Sequence, residues 1–167
     1  MQTLNTNDQN AKLKRFADLS ADLFNHDQVC LDLARAAAEL CDAPVALVSL
    51  KVGERLWFQT RIGLDLSEIP SRNSFCECAM ELCDEVLVVE DATADPRFAN
   101  NDLVAGPLGI RFYVGAPLVT SKRHVLGNLC VLDSKSKKLK PGQMETLAFL
   151  GKQVAEILEK KLDSLPA

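Results

Sequence analysis

The side chains best equipped for chemistry are six cysteines: Cys30, Cys41, Cys76, Cys78, Cys83 and Cys130. A thiolate is both a nucleophile and a metal ligand. Three of them fall within one segment, Ser74-Phe75-Cys76-Glu77-Cys78-Ala79-Met80-Glu81-Leu82-Cys83. Ser74 with Glu77 three residues on is the pattern of a capping box. The serine hydroxyl accepts from the Glu77 amide, and the glutamate reaches back. With Ser74 as N-cap, Cys76 is the second helical residue, and a helix N-terminus lowers a thiol's pKa. Cys76 is therefore the candidate activated thiol. The plainer reading is a small buried hydrophobe in a first turn. Cys76, Met80 and Cys83 share one helix face and are expected to point inward. Glu77, Glu81 and Asp84 lie on another, toward water. A structural zinc needs about four ligands at chelating spacings. One C-x-C pair, Cys83 and the distant Cys130 do not supply them, so no metal is expected.

Other residues offer polar or aromatic contacts. Asp95-Pro96 reads as an N-cap with proline at the first helical position. Arg97 is expected to pair with a carboxylate such as Asp91, or to meet an anionic ligand. Arg111 is either a surface residue or a pocket donor. Phe112 and Tyr113 are neighbours on a strand and point to opposite faces. Trp57 and Phe58 pose the same question earlier. Gly115 and Pro117 suggest a bulge or a close backbone approach. The two histidines, His26 and His124, do not fit a Ser-His-Asp arrangement. No glycine-rich phosphate loop is present.

Positioning such groups takes a folded core, and 167 residues suffice for one domain. Hydrophobic residues make up 47% and charged residues 25% of the chain, at a net charge of −4. That balance carries no footprint for nucleic acid or an anionic membrane. The first residues, MQTLNTNDQNAKLKRF, lack the apolar core of a signal peptide. No run approaches the ~18 apolar residues of a membrane span. The expected setting is cytoplasmic, where the cysteines stay reduced.

Residues 1–9 are polar and expected to fray; residues 10–165 are expected to form a single domain. Apolar periodicity predicts a helix over Ala11–Phe24, a break at Asn25 and His26, and a second helix over Val29–Leu40. VALVSL and LWFQTRI read as strands of a hairpin turning at Gly53 and Glu54. Residues 63–73 read as a loop, Ser74–Cys83 as a short helix and Glu85–Glu90 as a strand. Residues 91–109 are irregular, a common place for holding ligands. Ile110–Val119 and His124–Asp133 read as a second hairpin with Thr120–Arg123 at its tip. The tract Lys135–Lys140 reads as a solvated loop. A final helix over Gly142–Leu162 carries a broad apolar stripe. Adjacent hairpins favour an antiparallel sheet layered with helices, an α+β fold.

Four words in order are more specific: Ser74–Cys76 (SFC), Asp95–Phe98 (DPRF), Ile110–Leu118 (IRFYVGAPL) and Leu126–Asp133 (LGNLCVLD). With APVALVSL and RLWFQTRIGLDLSEIP ahead of them, the chain resembles the bacterial GAF family across roughly residues 27–160. The resemblance implies a central antiparallel sheet of five or six strands. The N- and C-terminal helices would cover one face, and short helices and loops would form a small-molecule pocket on the other. The pocket candidates are Phe75, Cys76, Cys78, Met80, Asp91, Arg97, Phe112, Tyr113 and Cys130. Many members of the family carry histidine where this chain has Cys78, which removes a polar pocket group and draws attention to Cys76 and Cys78 as a redox pair.

The expected function is a sensing or regulatory module in signal transduction, binding an unidentified small molecule. It would act through dimerisation or a signalling partner chain, and would not itself be an enzyme. A thiol enzyme like free methionine-(R)-sulfoxide reductase is the alternative, with a ligand-free dimerisation module as a third reading. The cofactor is unknown. No Cys-His dipeptide marks a bilin site, and no Asn-Lys pair marks a cyclic-nucleotide site.

Overall fold

The computed structural model describes residues 10–18 and 28–165. The frayed start, the later part of the first helix and the break at Asn25–His26 lie outside these residues. Residues 10–18 are helical (α1). They are followed by α2 (Gln28–Leu40), β1 (Val45–Val52), β2 (Arg55–Ile62), β3 (Glu68–Pro70), α3 (Phe75–Leu82) and β4 (Leu87–Val89). A 3-10 turn (Ala92–Ala94) and α4 (Asp102–Ala105) lead to β5 (Phe112–Val119), β6 (Val125–Asp133) and α5 (Pro141–Asp163). The strands form one six-stranded sheet in the order β3-β2-β1-β6-β5-β4. Every pairing is antiparallel.

The sheet is covered on both faces, which explains why its inner strands are apolar on alternate and intervening positions alike. On one face, Ala46, Val48 and Leu50 of β1 and Phe112, Val114 and Ala116 of β5 meet the terminal helices. Helix α2 offers Cys30, Ala34, Ala37 and Ala38, whose small side chains let it lie close. Helix α5 offers Leu147, Gly151, Val154, Ala155, Leu158 and Leu162, a spacing that keeps one stripe on the sheet. A Cβ on Gly151 would stand 3.0 Å from the Ala116 methyl, so glycine allows the closest approach of α5 to β5. Phe16 of α1 meets Trp57 edge-on at 5.7 Å.

On the other face, Val45, Leu47, Leu56, Phe58, Cys130 and Leu132 pack against α3, the 3-10 turn and α4. Between β1 and β2 the register shifts after Val48, so that Val48 faces Thr60 and Ser49 faces Phe58. Gln59 is the extra residue of that bulge. Residues 63–73, read as a loop, contain the edge strand β3, paired with β2 through Glu68, Ile69 and Pro70. The extended hairpin strands begin slightly later than Ile110 and His124, and α5 begins at Pro141.

Candidate functional site

Helix α3 begins at Ser74, whose hydroxyl accepts from the Glu77 amide at 3.0 Å. Only half of the expected capping box forms. The Glu77 carboxylate accepts from the Ser71 hydroxyl at 2.8 Å and stands 3.8 Å from Lys51 Nζ. The Ser74 amide donates to the Ser71 carbonyl instead. The cap fixes α3 with Phe75, Cys76 and Ala79 buried. Met80 and Cys83 are half-buried rather than inward-facing, and Glu81 and Asp84 are exposed.

Beneath α3 lies a small polar island in an apolar layer. Phe75 stacks on Tyr113 with centroids 4.7 Å apart and meets Phe98 at 4.4 Å. The stack brings the Tyr113 hydroxyl to 3.6 Å from Cys76 Sγ, to which it donates. That hydroxyl rests over Gly115, where any Cβ would collide with it. Gly115 is the cross-strand partner of Cys130, so Tyr113, Cys76 and Cys130 converge. Asn128 on β6 donates to the Cys76 carbonyl at 3.0 Å. It is the cross-strand partner of Ser49 on β1. Ser49 and Asn128 are fully buried, yet among the described residues Ser49 Oγ and Asn128 Oδ1 have no hydrogen-bond partner.

This environment sets the thiols apart. The neighbouring Cys130 thiol lowers the Cys76 pKa below its ordinary value, against the opposing effect of burial and with help from Ser49 and Tyr113. Ser49 acts there by proximity, since its geometry to the sulfur falls short of a hydrogen bond. Cys130 is held well above its ordinary value, by the Cys76 thiol and by burial. Burial also raises Tyr113. Cys78 is half-buried and raised by desolvation. Cys130 shares the buried cluster with Cys76, whereas Cys78, its neighbour two positions on, is only partly buried against that cluster.

The other sequence candidates sit elsewhere. Phe112 lies on the opposite face, in the core under the terminal helices. Arg97 pairs with Asp95, not Asp91, through Nε at 3.0 Å and Nη2 at 2.7 Å. Asp95 caps a turn rather than a helix, accepting from the Arg97 amide at 3.0 Å. Asp91 accepts from the amide and hydroxyl of Thr93. Asp91 and Arg97 line a shallow groove with Val89, Leu139 and Met144, outside the polar island. Arg111 donates to the carbonyls of Val104 and Ile110, each at 3.0 Å, and so braces α4 against β5. Ser49 and Asn128 were missed in the sequence. Their signal was a polar residue set inside each of two buried strands, VALVSL and LGNLCVLD. Among the described residues, no three His, Cys, Asp or Glu side chains gather to hold a metal.

A model of the GAF domain family matches residues 25–158. This chain belongs to the GAF domain family. GAF domains are sensing and regulatory modules, and this GAF domain has the six-stranded sheet and helical layers of the fold. A cyclic di-GMP phosphodiesterase of Pseudomonas aeruginosa is 44% identical over 111 residues, which are 66% of this chain and 19% of that protein. The GAF domain thus spans about a fifth of the relative. That relative corrects the expectation of a protein with no enzymatic activity, because its name is that of an enzyme. Among solved structures, the GAF domain of an Acinetobacter phosphoenolpyruvate-protein phosphotransferase superposes with a TM-score of 0.65 at 16% identity, covering 91% of this chain and 93% of that one. A type II free methionine-R-sulfoxide reductase of Thermoplasma acidophilum gives 0.66 at 14% identity, covering 82% and 94%. At these identities both show the shared fold. No helix of the described residues is long and apolar enough to cross a membrane.

Proposed function

We propose that this GAF domain senses a small polar molecule on the sheet face beneath α3 and controls a catalytic output. The observation that carries this is the pair of fully buried, unpartnered groups Ser49 Oγ and Asn128 Oδ1. A buried polar atom without a partner costs about 1–3 kcal/mol. Such a cost is recovered when a ligand supplies the missing donor and acceptor. Phe75, Cys76, Tyr113 and Cys130 surround these groups. A ligand there would displace α3, and α3 touches β4, β5 and β6. Strand β5 carries that shift to α5 through Ala116 and Gly151.

The output proposed is cyclic dinucleotide hydrolysis, the activity in the name of the Pseudomonas relative, in a cytoplasmic setting. The outer faces of α2 and α5 expose Val29 and Phe149, at 55% and 59%. Their proposed partner is a second copy of the domain or a signalling helix. Native mass spectrometry of the chain tests the ligand. The expected spectrum carries an adduct that is lost on denaturation and is absent from an Asn128→Leu variant. A bare chain mass under native conditions, unchanged after exposure to cell extract, sinks the reading.

A further inference from the structure

We propose that Cys76 and Cys130 form a reversible redox pair, in which a hydroperoxide oxidises Cys76 and Cys130 resolves it as a disulfide tying α3 to β6. Cys76 sits in the first turn of α3 and Cys130 in the middle of β6. The Tyr113 hydroxyl, 3.6 Å from Cys76 Sγ, rests over Gly115, the cross-strand partner of Cys130, so both cysteines flank that hydroxyl within one buried cluster. The absent side chain at Gly115 leaves the space in which the Tyr113 hydroxyl reaches the same sulfur. Tyr113 is thus a positioning residue, holding the Cys76 sulfur over the strand.

The pair is asymmetric in the way such chemistry requires. Cys76 sits in the first turn of α3 and accepts from the Tyr113 hydroxyl, both of which favour its thiolate, whereas Cys130 is buried in mid-strand, which favours its thiol. The first is the attacking sulfur, since the thiolate is the nucleophile, and the second is the resolving one. Ser49 Oγ and Asn128 Oδ1 add an independent observation: a donor and an acceptor stand unpartnered in the same island. A hydroperoxide both donates and accepts, and hydrogen peroxide is little larger than water. Its entry needs only a local opening of the eight-residue α3.

The electron balance is simple. The Cys76 thiolate attacks one peroxide oxygen; an S–O bond forms, the O–O bond breaks, and the departing hydroxide takes up a proton as water. The Cys130 sulfur then attacks the sulfenic sulfur of Cys76. An S–S bond forms, the S–O bond breaks, and the second hydroxide leaves as water with the Cys130 proton. Two thiols and one hydrogen peroxide give one disulfide and two waters. A dithiol reductant reverses the change by exchange.

The pair shares its surroundings with the proposed ligand site but needs no resident ligand, and its test reads thiols rather than adducts. The reduced chain is treated with hydrogen peroxide, denatured and alkylated. The expected result is loss of two of the six alkylatable thiols, a linked peptide joining Cys76 to Cys130, and full recovery with dithiothreitol. In Cys130→Ala, dimedone should trap a sulfenic acid at Cys76. In Tyr113→Phe, thiol loss should be slower and its pH profile displaced upward. Retention of all six thiols under peroxide that oxidises glutathione overturns the proposal. So does a linkage mapped to Cys78 or to a second chain. Should Cys130→Ala fail to fold, the linkage map of the unaltered chain decides alone.

Discussion

The hydroxyl of Tyr113 is one of the groups that hold the Cys76 sulfur, and one atom can test its share. Tyr113→Phe keeps the stack on Phe75 but deletes the donor 3.6 Å from Cys76 Sγ. Thiolate absorbance should then rise at a higher pH than in the unaltered chain. The same titration on Cys76→Ser should lose that step altogether. Asn128 is a second single-residue test. Replacing it by alanine strips the Cys76 carbonyl of its 3.0 Å donor inside a buried layer. Denaturant melts should report a loss of about 1–3 kcal/mol. Neither Asn128 nor Ser49 stands out in the sequence by type. A polar residue inside VALVSL or LGNLCVLD reads as a strand residue facing water, and only coverage of both sheet faces makes it buried. Arg97 was misassigned for a local reason: Asp95, two residues away, gives it two parallel hydrogen bonds, which the more distant Asp91 cannot match.

Among the elements, long periodic segments were legible and short ones were not. The stripe of α5 and the two hairpins follow from spacing alone. Strand β3 is three residues at the sheet edge ending in Pro70, a composition that reads as loop, since an edge position tolerates proline. The pairing of Cys76 with Cys130 needed the sheet order, which no local pattern contains. The attachment of α5 yields two predictions. Gly151→Val puts branched carbons against Ala116 and should cost about 1–3 kcal/mol by overpacking, read as a lower midpoint in urea. Glu159 accepts from the hydroxyl and amide of Ser121 in the β5–β6 turn. The hydroxyl bond, then the amide bond, lowers its pKa from 4.5. A carboxyl depressed in the folded state stabilises above its unfolded pKa, and that contribution is lost as pH falls through the folded value. Stability should therefore drop on acidification below about pH 4.5, and Glu159→Gln should flatten that part of the profile in denaturation measured across pH.

For the whole molecule, the two covered faces divide the work. One holds the polar island and its thiols; the other carries the terminal helices and an outer surface exposing Val29 and Phe149. If that surface is where copies meet, Val29→Glu with Phe149→Glu should shift sedimentation toward the monomer. The melting temperature of the domain itself should hardly change, because both side chains are already in water. An unaltered sedimentation profile in a chain that self-associates would move the contact elsewhere. A groove of about 310 Å³ between the β5–β6 turn, the start of β4 and α5 lies on the same molecule but away from the island. Its Arg123, bonded to both Asp84 oxygens at 2.7 Å, joins two exposed side chains, which contribute little to stability.

The pairing of β1 with β6 has a further consequence, in time rather than space. Val45 meets Leu132 and Leu50 meets Gly127, so the centre of the sheet joins segments far apart in sequence. Loop closure of that length favours folding in milliseconds to seconds rather than microseconds. On a ribosome, made N-terminus first, Cys76 emerges well before Cys130 exists to pair with it. Until β5 and β6 arrive, α3 lacks the strands that bury it, and its thiol is an ordinary exposed one. The nascent chain thus passes through an interval in which Cys76 can be captured by any passing electrophile, and the synthesis of β6 closes that interval.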